Sequence, residues 1–485
     1  MNHHLHARAL RTVFAATLAL ACSPAAAQWD VRPSIFTSVL YTDNVGFRNG
    51  LFLFDDDSGQ TDDISYAVTP RIAISREGAR WNLESTYQVQ VRRFVEFDEN
   101  RENLQNFQLE SDYQLLIDRV GFLVNAGIEQ FVIDRQLGIG GTTANRIANL
   151  TEFRNAAIEP YYTFDIGSNT SGRLSYRRGE NEVEGQGFDS SNEQIRATIN
   201  TSLAGGRWTL GGTFTDSGVE FETGREVSLQ RIALDGAYRL TPRTQIVMQV
   251  GQDSNDIGSD SVFGDVEGTF WMAGVRGKVG AATDYELRAG RQFFGNSIFA
   301  SVERTRGRLT LSFSYQEQAN TFGGGAISPQ ALIALTTDVR GIDLPNATQD
   351  VFISNLLSFG MAYTRPRSTL SFNIFNDNRE FLSGQDALQQ DDRGGGLQLS
   401  YSLELSPESR LRFSGTYQRF TIRRTQDEPE DIRVELGWRR SVLERAYMDL
   451  RFVHNQRQSI TSTQITGSGN FDENTVELGF GYEFW

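Results

Sequence analysis

The feature that most limits what this chain can become is a two-residue period of hydrophobicity, repeated in stretch after stretch. From position 81 to 94, Trp81, Leu83, Tyr87, Val89 and Val91 fall on one side of an extended chain. Asn82, Glu84, Thr86, Gln88, Gln90 and Arg92 fall on the other. Successive side chains of a strand point to opposite faces, so such a segment needs apolar surroundings on one face and polar ones on the other. The pattern returns with Val120, Phe122, Val124, Ala126 and Ile128 against Asn125 and Glu129. It returns with Leu309, Leu311, Phe313 and Tyr315 against Thr310, Ser312, Ser314 and Gln316, and with Val434, Leu436 and Trp438 against Arg433, Glu435 and Arg439. Each run covers about the 9–11 residues a tilted strand uses to cross the hydrocarbon of a bilayer.

The connections alternate between two kinds. Tight turns are expected at Glu77-Gly78-Ala79, Ile117-Asp118-Arg119, Ala204-Gly205-Gly206, Thr241-Pro242-Arg243, Gly280-Ala281-Ala282, Arg365-Pro366-Arg367 and Ser406-Pro407-Glu408, where Gly and Pro set turn geometry. Longer polar stretches lie between them, at 43–63, 136–150, 185–191, 254–266, 323–352, 384–391 and 459–473. Tight turns on one rim and long loops on the other are the arrangement of bacterial transmembrane barrels. Counting strands between turns predicts about 22, with 18 or 20 also compatible. The expected fold class is therefore all-β: a single transmembrane antiparallel β-barrel with short periplasmic turns and long extracellular loops. An even count leaves both termini on the periplasmic side.

Composition agrees. Only 39% of the 485 residues are hydrophobic, which suits a large ring with a polar inner face. No segment beyond the leader holds the ~18 uninterrupted apolar residues of a transmembrane helix. The net charge of −15 argues against nucleic acid, whose phosphates need a basic face. Residues 1–27 read as a cleaved signal peptide: Arg8 and Arg11, an apolar run from 13 to 21, then Ala25-Ala26-Ala27. A rival reading makes Cys22 a lipidated residue. Cleavage after Ala27 leaves residues 28–485 as the barrel, without cysteine. Strand-like sequence already starts near Arg32, so no N-terminal plug domain is expected.

At the other end, Val476, Leu478, Phe480, Tyr482 and Phe484 alternate with Glu477, Gly479, Gly481 and Glu483. An amphipathic last strand with terminal aromatics resembles the insertion signal of outer-membrane barrels, carried here by Tyr482, Phe484 and Trp485, although Trp485 sits one place beyond the apolar register. Trp81, Trp208 and Trp485 are expected at the periplasmic interface. Lipid of the outer membrane of a Gram-negative cell and the barrel-assembly machinery are the implied partners.

If the apolar faces meet lipid, the others line a lumen. Its candidate lining residues are Glu84, Arg92, Glu129, Arg276, Lys278, Arg288, Arg412, Arg433, Glu435, Arg439 and Arg451, with Glu286 and Asp449 among them. Both signs are interspersed, so cross-strand ion pairs that stiffen the wall and a charged path for a polar solute are both open readings. Within 323–352, Ser328-Pro329 opens a possible helix. Its Leu332 and Leu335 would either occlude the mouth or cap the outer surface.

Catalytic chemistry finds little to work with. His454 is the one histidine beyond the leader, and with Ser459 alone it makes no nucleophile-and-base constellation. Asp55-Asp56-Asp57 and Asp62-Asp63 fit a solvated loop or a divalent-cation contact. No cofactor motif is present, and no enzyme is expected.

Three stretches resemble one family. Tyr41-Thr42-Asp43-Asn44-Val45, Gly290-Arg291-Gln292-Phe293-Phe294-Gly295-Asn296-Ser297, and the segment from Arg304-Thr305-Arg306 to Ser314-Tyr315-Gln316-Glu317 are similar to segments of PEP-CTERM-system-associated outer-membrane proteins. These are related to β-barrel porins of exopolysaccharide gene clusters; Gln292 stands where a basic residue is expected. The resemblance implies a passive porin or final export conduit for an exopolysaccharide or extracellular-matrix system, with polysaccharide-export components as partners. The alternative is a structural or surface-interaction barrel with an occluded lumen.

Overall fold

The computed structural model describes residues 29–45, 62–96, 102–132, 150–184, 189–256, 266–321, 351–382, 392–422, 428–458 and 471–484. They form β1 (Trp29–Thr42), β2 (Asp63–Arg76), β3 (Trp81–Phe94), β4 (Glu102–Leu116), β5 (Val120–Val132), β6 (Leu150–Ile166), β7 (Thr170–Val183) and β8 (Ser190–Leu203). Next come β9 (Trp208–Phe221), β10 (Glu226–Thr241), β11 (Thr244–Asp256), β12 (Val266–Val279), β13 (Thr283–Gln292), β14 (Gly295–Arg306) and β15 (Leu309–Thr321). The ring is completed by β16 (Val351–Arg365), β17 (Ser368–Phe381), β18 (Asp392–Ser406), β19 (Ser409–Ile422), β20 (Glu430–Leu443), β21 (Ala446–Gln458) and β22 (Phe471–Glu483).

Each strand pairs antiparallel with the next, and β22 returns to β1 from Ser34↔Glu483 to Thr42↔Thr475, so the 22 strands close into one barrel. Closure is what the bilayer demands: an unpaired backbone group in hydrocarbon costs several kcal/mol, and a ring has no edge. Ten connections at one end are two to four residues long, for example 242–243 and 204–207. At the other end they range from two residues (293–294) to 29 (322–350). Left-handed backbone occurs where the short turns need it, at Asp118 (φ 61°) and at Ala204, Gly205 and Gly206.

Register fixes which residues share a face. On β1, Val39 and Tyr41 pair with Tyr66 and Ile64 of β2 and with Leu478 and Val476 of β22. This face is apolar yet bare: Tyr66 is 53% exposed, Leu478 51% and Leu234 of β10 62%. So much continuous exposed oil makes sense only against lipid, and this is the outward face. At its short-turn rim Trp29 and Trp81 meet edge to face at 5.4 Å, with Tyr113 6.1 Å from Trp81, and Arg76 lies 4.3 Å over the Trp81 ring. Trp208 lies 4.6 Å from Tyr238 farther round. Such rings suit the boundary between lipid and water, and Trp81 Nε1 donates to Ser111 Oγ at 2.9 Å.

The closing seam has a specific joint. A Cβ on Gly479 would fall 2.0 Å from the Phe36 ring, and one on Gly481 2.2 Å from that of Tyr447. The two glycines let rings from β1 and β21 lie flat on the inner wall, 6.2 Å apart and stacked.

Candidate functional site

The inner wall is the place where a barrel of this kind does work, and its residues follow from register alone. Glu84 opposes Glu110; Glu129 opposes Phe153; Arg276 opposes Gln245 and Glu286; Lys278 opposes Asp284. Arg288 opposes Phe299, Arg412 opposes Ser402 and Gly437, and Arg433 opposes Asn455. Glu435, Arg439 and Arg451 continue the same face of β20 and β21, and Arg92 lies opposite Ala67. All these side chains alternate with the lipid-facing ones and point inward.

Many are held in ion pairs: Arg433–Glu435 at 3.1 Å, Arg439–Asp449 at 2.8 Å, Arg451–Glu477 at 2.7 Å, and Arg288 with Glu286. Arg276 Nε donates to Gln245 Oε1 at 2.9 Å. Glu84 and Glu110 are different, two exposed carboxylates facing each other across β3 and β4. Leu332, Leu335, Ser459, Trp485 and Asp55 to Asp57 lie outside the described residues, as do residues 1–27. Tyr482 faces outward, its ring 5.2 Å from Phe484, whose N–H donates to the Pro33 carbonyl at 3.0 Å. His454 also faces outward, at the loop rim opposite Val434 and Asn474, with Nδ1 2.9 Å from Asn474 Oδ1.

Burial divides the inner wall by height. Along β1 the inward series runs from exposed Arg32 through half-buried Ser34 and Phe36 to buried Ser38, Leu40 and Thr42. On β3 it runs from exposed Asn82 and Glu84 to buried Arg92 and Phe94, and on β21 from half-buried Tyr447 and Asp449 to buried Val453, Asn455 and Arg457. The short-turn half is therefore open to solvent, and the loop half is packed. Arg92, Arg457 and Glu473 are each only 1% exposed. Arg92 Nη1 donates to Ser65 Oγ at 2.9 Å, Arg457 pairs with Asp431 at 3.3 Å, and Glu473 accepts from Thr42 Oγ1 at 3.1 Å and Asn455 Nδ2 at 3.1 Å.

The loop half also carries an apolar collar, made of inward Phe94, Val183, Phe270, Phe352, Phe381 and Phe420 among others. Part of it joins across the rim: Val219, Phe221 and Val227 cluster with Ile353 and Leu382, and Leu229, Phe293 and Phe294 pack against them. The inner face is thus mixed toward the loops, where apolar rings stand beside buried charges, and polar toward the short turns, where a uniformly polar face was expected. The signal was present in the sequence as apolar residues out of phase, Phe94 on the polar parity of β3 being one.

Among the described residues no group of three or more His, Cys, Asp or Glu is placed to hold a metal ion. No family model matches the chain, and no curated protein matches it. Solved structures do. The chain is similar to BauA, the ferric preacinetobactin receptor of Acinetobacter baumannii, at 8% identity and a TM-score of 0.53, covering 94% of this chain and 81% of that one. It also aligns with OccK2 (OpdF) of Pseudomonas aeruginosa, 7% identical over 94% and 98% of the two chains at a TM-score of 0.36. A third alignment is with the A. baumannii channel DcaP, 9% identical over 95% and 99% at 0.33. The BauA likeness speaks for the fold. Closed ring, apolar outer belt and that likeness together make this chain an antiparallel β-barrel of the outer membrane.

Proposed function

We propose that the barrel is a passive conduit, a porin-like channel or the last step of an export route. The observation that carries this reading is the open short-turn half of a 22-stranded ring, whose inward side chains are charged and solvated. A ring of this size leaves room for water unless something fills it. As cargo we propose an exopolysaccharide or matrix polymer; the support is the resemblance of 41–45, 290–297 and 304–317 to barrels of exopolysaccharide gene clusters. Export components in the periplasm and the barrel-assembly machinery are the proposed partners, and residues 1–27 the proposed signal peptide.

Planar-bilayer recording tests the conduit. Reconstituted barrel is expected to give discrete conductance steps, and removal of residues 323–350 to enlarge them. Silence before and after that deletion would favour a second reading, a surface-interaction barrel with an occluded lumen. The packed loop half, with Arg92 and Arg457 buried inside the ring, is the observation on that side. Loss of secreted polymer in a strain lacking the protein tests the cargo; normal secretion removes it.

A further inference from the structure

Two neighbouring pairs of strands leave facing edges without a mutual ladder: β4 and β5 near the loop rim, at 102–106 and 129–132, and, lower in the wall, β14 and β15. β14 and β15 pair only from Ala300↔Tyr315 to Arg306↔Leu309, over seven positions. On either side the ladders are longer: ten positions between β13 and β14, thirteen between β15 and β16. Residues 295–299 of β14 and 316–321 of β15 therefore have a ladder on one side alone. The gap begins six residues above the short-turn end of β14, about 15 Å up the wall for a strand rising ~3.3 Å per residue at ~40° tilt. The apolar band is ~25 Å tall, so the gap falls in the leaflet nearer the loops.

Glu317 stands in it. The Ile298 N–H, which would bond to a strand carbonyl, instead donates to Glu317 Oε2 at 3.1 Å. The Tyr315 hydroxyl also donates to this carboxylate. On the inner side, Gln292 Nε2 donates to Ser297 Oγ at 2.9 Å and lies 3.5 Å from the Glu317 carbonyl. A side chain thus wedges two strands apart where lipid would otherwise demand a closed ladder. Ile298, on the lipid side of the gap, is 53% exposed.

The wall on the β15 side of the gap is uncharged over most of its height. Every inward residue of β15 from Thr310 to Gln318, and of β16 from Ser354 to Thr364, is uncharged, being Ser, Thr, Gln, Gly, Ala or Leu356. Ser314 and Ser358 share a hydrogen bond of 2.6 Å on this strip. The inward face of β9 from Thr209 to Phe221 is likewise uncharged, whereas those of β12, β13, β20 and β21 carry Arg, Lys, Asp and Glu.

We infer that the β14–β15 gap is a lateral portal between lumen and outer leaflet, held apart by Glu317, and that its passenger is an uncharged amphiphile. A hydroxyl-bearing head would exchange hydrogen bonds with the Ser and Gln strip without meeting an ion pair, and an apolar chain would leave through the gap into hydrocarbon. This stands whether or not the barrel also conducts along its axis.

The test places the full barrel in liposomes with an alkyl glucoside carrying a photoreactive diazirine in its chain. The same chain with a sulfate head is the comparator. The glucoside is expected to label inward Ser297, Ser314 and Gln316 at least fivefold more than the sulfate does. Glu317→Val removes the wedge and lets the ladder close; inward labelling should fall at least fivefold while the lipid-facing Val302 and Phe313 are labelled as before. Glu317→Gln keeps an acceptor for the Ile298 N–H and should keep the labelling. Equal inward labelling by both heads, or no change in Glu317→Val, overturns the portal. If Glu317→Val does not assemble, amide exchange in the wild-type barrel decides: Ile298 should exchange at least tenfold faster than Val302, which the ladder pairs with Phe313, and equal protection overturns the proposal.

Discussion

Asp431 and Arg457, in the loop half of the inner wall, make an ion pair between directly opposed residues of neighbouring strands, and so do Lys278 and Asp284 in the short-turn half. The separations are nearly the same, 3.3 and 3.1 Å. The surroundings are not: Arg457 is 1% and Asp431 24% exposed, against 61% for Lys278 and 60% for Asp284. In the open half, water screens both charges and the pair does little. In the packed half, Arg457 has lost its water and Asp431 most of it, so removing Arg457 leaves the carboxylate without its opposed charge. Distance alone would have ranked the pairs as equals; burial ranks them apart, and it also separates the part of the lumen that a solute can enter from the part that holds the ring together.

The largest expected effect is at Arg457. Arg457→Met should lower barrel stability by ~3–5 kcal/mol, because it strands Asp431 in a packed site. The measurement is the denaturant midpoint of the folded, heat-modifiable form. Asp431→Leu combined with Arg457→Met should recover much of that loss, since no lone charge then remains. A single variant that unfolds at the wild-type midpoint would show that water reaches this end of the wall, and the contrast between halves would be lost.

Next is chemical access. Cysteines placed at Thr475, buried, and at Ser75, half-buried lower on the wall, sample the two halves on the same inward face. A water-soluble maleimide should modify Thr475→Cys ~100-fold more slowly than Ser75→Cys, because reaction there requires local opening of ~3 kcal/mol. Equal rates would mean that the lumen is open from end to end.

This division of the wall was only half legible in the sequence. Strand period, turn chemistry and closure depend on local pattern, so the ring and the inward parity of residues such as Arg433 and Glu435 could be read residue by residue. Among the connections that the turn and loop pattern left unnamed, two are short at the loop end, 222–225 and 293–294, and break the alternation of tight turns with long loops. Burial depends on what meets across the ring, and there period says nothing. Phe94, Phe221 and Phe420 sit buried on the inward parity of their strands, and Phe221 packs with Ile353 and Leu382, which are distant in sequence. Phe36 and Tyr447 were equally hidden, since the glycines that seat them lie on another strand. The β14–β15 gap was invisible for the same reason: Glu317 reads as one more polar residue until register shows which amide it satisfies.

The smallest effects belong to the open half, and one should carry the opposite sign. Lys278→Met breaks an exposed pair and should cost no more than ~1 kcal/mol. Glu84 and Glu110 face each other directly with both carboxylates exposed. Like charges opposed across a strand pair destabilise it by roughly 0.2–1 kcal/mol, so Glu110→Gln should raise the denaturant midpoint slightly, and added salt should shrink the gain. In bilayers the same substitution should move the reversal potential toward anions, because it removes a negative charge that the solvent reaches. A loss of stability instead would mean that the two carboxylates hold something between them, and the short-turn half could then no longer be treated as a solvated wall in which side chains act one at a time.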